Sequence, residues 1–245
     1  MTKKDIELQN SVASLKNRVA VTKYYFDELP KQVRELAFTV SNLETLRQIQ
    51  MVKKSLENAI DEGESFATWK SKLNTDILKS LSEARLETVY RTNVHTVYNQ
   101  STRYNAITSN VTPYLMYTAV GDERTRPEHL KLDGVIKRAD SSFWDKYTPP
   151  LGFNCRCGTI PLSKEDADEQ GINKNSINSF PEIDEGFENK RMGNVLSSVS
   201  NEVTNAINNL PNNSVYKSKL AKSQENIKNL VDLWYSKNES IFNGE

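Results

Sequence analysis

DERTRPEHLKLDGV at residues 122–135 and PPLGFNCRC at residues 149–157 decide how this chain is read. Together they hold one of its two histidines, His129, and both of its cysteines, Cys155 and Cys157. Thr125 followed by Glu128 has the spacing of a capping box, with Pro127 in the first turn, where its missing N–H costs little. Asp133-Gly134 then supplies a helix stop, because glycine accepts the left-handed conformation. His129 is thus expected on a single helical turn. Cys155 and Cys157 are two apart, so on an extended chain their side chains share a face.

Two thiols and an imidazole at such positions suit tetrahedral zinc. The fourth ligand expected from the sequence is Asp122, with Asp133 as second choice. Four protein ligands would close the site to water and make it structural. A disulfide between Cys155 and Cys157 is disfavoured, because two residues on one strand stand side by side rather than facing. The alternative is plainer: two buried free cysteines and a core histidine near a turn, since free cysteine is often buried and inert.

Around this unit the chain reads as helix. Val12, Leu15 and Val19 share a face, and Pro30 fits a helix start. Ser41 and Glu44 form a second candidate capping box, followed by a stripe of Leu43, Leu46, Ile49, Val52 or Lys53, Leu56 and Ile60. Residues 61–63 break the pattern. Phe66, Trp69, Leu73 and Ile77 line the next helix, and residues 80–110 form a long one whose Arg85, Arg91 and Arg103 are candidates to pair with Asp122 or Asp133. His95 on the same helix reads as a polar helix residue rather than a ligand. Residues 114–120, 135–136 and 156–160 read as short strands, with Phe143, Trp144 and Tyr147 packing over them. Ser163 can cap a short helix. Residues 171–190 read as a connector, and 192–210 and 214–242 as helices split at Pro211.

The expected fold class is therefore α+β, mostly helical, with a small sheet packed on a long helix in the central core and helical N- and C-terminal arms. The expected regions are 1–62, 63–165, a connector at 166–190, and 191–245. The arms carry amphipathic patterns with few apolar residues, which points to partner binding. The last helix, with Leu220, Ile227, Leu230 or Val231, and Trp234, would dock on a neighbouring subunit or on the N-terminal helices.

Composition excludes several classes. Lys plus Arg and Asp plus Glu are 32 each, so the formal charge is zero, which argues against a large uniform basic surface for nucleic acid. Two cysteines in 245 residues are no disulfide framework. No apolar run is long enough to span a membrane, and the polar first residues lack a signal-peptide core, so synthesis and residence in a reducing cytoplasm are expected. Phosphate-binding glycine loops, a G-x-S-x-G elbow and H-E-x-x-H are all missing from the sequence.

The unit also resembles a known family. The acidic residue and arginine before Pro127-x-His129, the Asp133-Gly134 turn, the aromatic pair Phe143-Trp144 and the ending Pro149-Pro150-x-x-x-Asn154-Cys155-Arg156-Cys157 are similar to the core of the phage Mu F-like minor head proteins, also called the SPP1 head-morphogenesis family. RLETVYRTNVHTVYNQSTRYNA, residues 85–106, resembles the family's long helix, with its Arg91-Thr92-Asn93 step. Residues 180–187 resemble its trailing segment. The likeness spans about residues 50–190.

The resemblance implies a minor head protein of a tailed phage or prophage, without enzymatic activity. It would sit in the phage head near the portal and act in capsid assembly or in DNA packaging and ejection. Portal, capsid and scaffold proteins are the implied partners, with a weak DNA contact as a minor reading and no membrane or small-molecule substrate. A toxin-like or nuclease enzyme on the same core is the alternative. The resemblance also falls on the expected zinc residues Cys155, Cys157, His129 and Asp122. Arg124, Arg126 and Arg91 would support them from behind or face a partner.

Overall fold

The computed structural model describes Val12 and residues 15–172, 181–184, 187 and 201–237. Its centre is a three-stranded antiparallel sheet in the order β4-β3-β5. The strands are β3 (Tyr114–Thr118), β4 (Ile136–Arg138) and β5 (Gly158–Leu162). In register, Met116 pairs with Ile136 on one side and with Ile160 on the other. Alternation along β3 divides the sheet's faces. Leu115 and Tyr117 point into a cluster with Ala106, Leu132, Trp144, Leu151 and both cysteines. Tyr114 and Met116 point to a smaller cluster with Ile136, Leu162 and Ala167. The three sequence-predicted strands are all present, each displaced or trimmed by a residue or two.

Three strands cannot bury both faces by themselves, and the long helix α5 (Glu83–Ile107) supplies the missing layer. Ser82 caps it by accepting from the Arg85 N–H. Its Leu86, Val89, Tyr90 and Val97 enter a helical cluster with Ile49, Val52, Leu56 and Trp69, whereas Ala106 enters the sheet's cluster. Of the arginines on this segment, Arg103 is the buried one. Its Nε donates to the Ala139 carbonyl at 2.9 Å, and a terminal nitrogen meets Asp145 at 2.9 Å. Arg91 pairs instead with Glu87, one turn away. Neither reaches Asp122 or Asp133, the partners expected from sequence.

The helical cluster is built by α2 (Leu46–Glu62), α3 (Phe66–Ser71) and α4 (Thr75–Ser80). The capping box of α2 is Thr45 with Gln48, not Ser41 with Glu44; Asn42 is left-handed (φ 71°), which places a turn before the helix. Gly63 closes α2 in the left-handed conformation. On the apolar stripe, Lys53 is buried, and its ammonium bonds Glu57 at 2.6 Å and the Lys16 carbonyl at 2.8 Å. The face at Phe66 to Ile77 is split, because one short helix ends at its C-cap Lys72 and Asn74 caps the next.

The two ends of the chain form a further layer. The short parallel pair β1 (Val19–Ala20) and β2 (Ala37–Phe38) brackets α1 (Lys23–Glu28) and a 3-10 turn at Lys31–Leu36. Against them lie α9 (Asn201–Asn208) and α10 (Lys217–Lys237). The remaining short helices belong to the sheet's connections: α6 (Pro127–Leu130) between β3 and β4, α7 (Phe143–Tyr147) between β4 and β5, and α8 (Lys164–Gln170) after β5. Val21, Leu29, Val33 and Leu36 meet Val203, Ile207, Leu220, Ile227 and Val231 in one cluster. The Ser223 hydroxyl donates to the Asn17 carbonyl at 2.7 Å. Arms read from the sequence as partner-binding thus bury their apolar faces on each other. Each stripe is too sparse alone, and pairing makes one core from two halves. No helix among the described residues is long and apolar enough to cross a membrane. Residues 192–200 and 238–242, read as helix from sequence, lie outside the described residues.

Leu220 is fully buried in this terminal cluster. Leu220→Ala should cost about 2–5 kcal/mol of unfolding free energy, read by denaturant titration. Limited proteolysis of the variant should open residues 19–37 and 201–237 together. Loss of α10 alone, with the N-terminal arm still protected, would show that the two ends do not support each other.

Candidate metal centre

The loop after β3 is organised by Asp122. Its carboxylate accepts from the Arg124 N–H and the Thr125 hydroxyl, and Thr125 N–H bonds the Asp122 carbonyl. The expected capping box of Thr125 and Glu128 does not form: Arg126 occupies the N-cap position of α6 and makes no side-chain cap. Thr125 is already spent on Asp122, and Pro127 begins the helical turn. Gly134 (φ 74°) ends the turn as expected. Asp133 accepts from the Ala119 N–H at 2.7 Å, fastening the turn to the end of β3.

That turn aims His129 at the cysteines. Its Nδ1 lies 3.5 Å from the Cys155 sulfur and 3.7 Å from the Cys157 sulfur. The three ligand atoms lie within 4.8 Å of one another. Cys155, Cys157 and His129 are 5%, 3% and 4% exposed, and both cysteines are free thiols. Residues 26 and 28 apart in sequence therefore converge in a buried part of the core. There the Cys155 thiol is pushed down, first because the Cys157 thiol can hydrogen-bond its anion, with His129 adding to the effect. Cys157 is pushed up, by the bond to Cys155 and by burial. The Tyr117 hydroxyl faces the Cys157 sulfur and has no oxygen or nitrogen partner among the described residues; burial raises its pKa far above the usual phenol value.

Asp122, expected as the fourth ligand, is placed elsewhere. Its two oxygens take both terminal nitrogens of Arg156, at 2.8 and 2.5 Å. This bidentate pair holds the carboxyl well below the ordinary carboxylate range. Arg156 lies between the two cysteines in sequence, so on an extended backbone it points away from their face, towards the Asp122 loop. Of the supporting arginines, Arg124 reaches Asp122 only at 3.6 Å and is largely exposed. Arg126 donates to the Phe153 carbonyl at 2.9 Å and pairs with Asp184 at 3.4 Å. Arg91 stays on its own helix with Glu87.

Sequence reading missed three residues that shape the site. Arg156 is the true partner of Asp122. His95 lies near Cys155 and the backbone of Cys157, and burial lowers its pKa. Asp184 belongs to a stretch whose described residues, 181–184 and 187, return to the site: Tyr147 donates to the Pro181 carbonyl, and Phe187 packs edge-on against Phe153 at 4.9 Å. A signal for His95 lies in the sequence. Thr88, His95 and Asn99 fall on one face of α5, and they meet Asn154, Cys157 and Thr159 in order.

A long helix backing a three-stranded sheet, with a histidine turn facing a Cys-x-Cys end, is the arrangement that the resemblance implied. Residues 50–160 match the sequence profile of the family described as Phage Mu protein F like protein, and that central segment belongs to it. The chain is 30% identical over 175 residues to the putative capsid assembly protein F of Escherichia phage Mu, spanning 61% of this chain and 40% of that protein. It is 31% identical over 184 residues to the Mu-like prophage FluMu F protein of Haemophilus influenzae, spanning 67% of this chain and 44% of that one. The chain thus spans about two fifths of the length of the curated relatives it matches. No solved structure matches it.

The Asp122–Arg156 pair carries a pH signature. A depressed carboxyl pKa contributes stability that is fully present above the unfolded value of about 3.9 and is lost as pH falls through the folded value. Asp122→Asn should therefore lower the melting temperature at neutral pH, and the gap to the native chain should narrow on acidification below about pH 4. A gap of constant size across that range would mean that the carboxylate charge is not what stabilises the loop.

Proposed function

We propose that this chain is a head-assembly protein of a tailed phage or prophage, a minor component of the phage head rather than an enzyme. The observation that carries the reading is the 30% identity over 175 residues to a protein named putative capsid assembly protein F. That likeness runs through the central core, where the sheet, α5 and the His129 turn meet. Burial of the cysteines and His129 supports a structural role, since a substrate would have to open the core to reach them.

Within the head, we place the protein beside the portal, with portal and capsid or scaffold proteins as its partners and with action in assembly or in DNA packaging and ejection. The zero formal charge favours protein partners over extensive DNA contact.

The test is co-expression of the full chain with the portal and major capsid proteins of its phage, followed by isolation of head particles. The protein should co-sediment with heads and be captured by portal protein alone, in amounts insensitive to nuclease treatment. Absence from heads and no capture by portal would overturn the reading. So would turnover of DNA or RNA by the purified chain that is lost in a folded His129→Ala variant, which is the outcome expected of the enzyme alternative.

A further inference from the structure

We propose that Cys155, Cys157 and His129 hold one zinc ion as a structural clamp, and that Asp122 is not among its ligands. The geometry is specific. Zinc sits about 2.3 Å from a thiolate sulfur and about 2.0–2.1 Å from an imidazole nitrogen. At a tetrahedral angle those two bonds place sulfur and nitrogen about 3.6 Å apart. The structure has 3.5 and 3.7 Å from His129 Nδ1 to the two sulfurs.

Chemistry agrees with distance. Two thiolates and a neutral imidazole cancel the charge of a divalent zinc, so the loaded site can lie in the core without an uncompensated ion. Soft sulfur ligands select zinc over magnesium or calcium, which take oxygen. The surroundings fit thiolates as well. The buried Tyr117 hydroxyl gains an acceptor in the Cys157 sulfur, and the guanidinium of Arg156 lies within electrostatic reach of both sulfurs. His95 lies on α5 near the backbone of Cys157.

Asp122 is committed to both terminal nitrogens of Arg156, and Asp133 to the Ala119 N–H. Among the described residues no further His, Cys, Asp or Glu joins the three ligands, so the structural role rests on their burial in the core and not on a closed shell of four protein ligands. Asp122 therefore acts one step out, holding Arg156, whose guanidinium lies within electrostatic reach of both sulfurs. The clamp ties the turn after β3 to the chain entering β5, adding to the Asp122–Arg156 pair and the Arg126–Phe153 hydrogen bond that already join them.

The experiment uses the full chain, expressed without a metal-affinity tag in medium containing zinc, with metal content read by mass spectrometry. About one zinc per chain is expected. Cys155→Ser, Cys157→Ser and His129→Asn should each lose it, and Asp122→Asn should keep it. Because the ligand variants risk misfolding, the native chain is also stripped with a chelator: its melting temperature should fall and return with zinc but not with magnesium. Replacement by cobalt should give the intense visible bands of a thiolate-bound tetrahedral ion. A native chain that carries no zinc and is indifferent to chelator overturns the proposal. A folded Asp122→Asn variant that has lost its metal overturns the exclusion of Asp122. Metal content is read on the isolated protein, so neither result depends on whether the chain enters phage heads.

Discussion

The structure depends on one helix serving two cores. Along α5, Leu86, Val89, Tyr90 and Val97 complete the helical cluster, while Ala106 and the polar row of Thr88, His95 and Asn99 face the sheet and the Cys-x-Cys loop. A helix with apolar contacts on one side and ordered polar contacts on the other cannot rotate without losing both. Its buried polar residues, Thr96, Asn99, Gln100, Ser101 and Arg103 among them, follow from that double duty. Each has to find a partner, because an unsatisfied group in the core costs more than a hydrogen bond returns. Arg103 shows the solution: its guanidinium bonds the Ala139 carbonyl and Asp145, locking the segment after β4 against the helix.

The position of the cysteines is a consequence of this frame. Cys155 and Cys157 sit where the loop from the paired prolines meets α5, with Thr88 bonding Asn154 and Thr159 bonding Asn99. Asn154 takes a left-handed backbone conformation (φ 59°) there, which asparagine tolerates better than most residues. The opposite wall is the α6 turn, which Asp122 braces from its start and Asp133 from its end. The meeting of imidazole and sulfurs is thus fixed by hydrogen bonds at both walls, and does not rest on the three side chains alone.

Much of this was legible in the sequence. The helix stop at Asp133-Gly134, the single turn carrying His129, the shared face of Cys155 and Cys157 and the three strands are all local consequences of residue type and spacing. What escaped was competition between partners. Thr125 satisfies the pattern of a capping box, yet Asp122 lies three residues earlier and takes its hydroxyl. Asp122 satisfies the pattern of a metal ligand, yet Arg156 is within reach and offers two parallel bonds. Sequence spacing lists what a side chain can do, and only the fold shows which of several suitors is nearest. The pairing of the two chain ends was legible only as one of two alternatives, docking of the last helix on the N-terminal helices or on a neighbouring subunit. Neither stripe carries any mark of its counterpart some 200 residues away.

That pairing has a kinetic side. Ser223 and Asn17 are bonded across 206 residues. At a synthesis rate of about 5–20 residues per second, roughly 10–40 s separate the appearance of Val21, Leu29, Val33 and Leu36 from that of the helix that covers them. Throughout that interval an apolar surface stands open while the central sheet and α5 can already assemble. The nascent chain is therefore a substrate for holding chaperones, or for a neighbouring copy of itself. In a crowded polysome, the C-terminal helix of one chain could settle on the waiting N-terminal arm of the next.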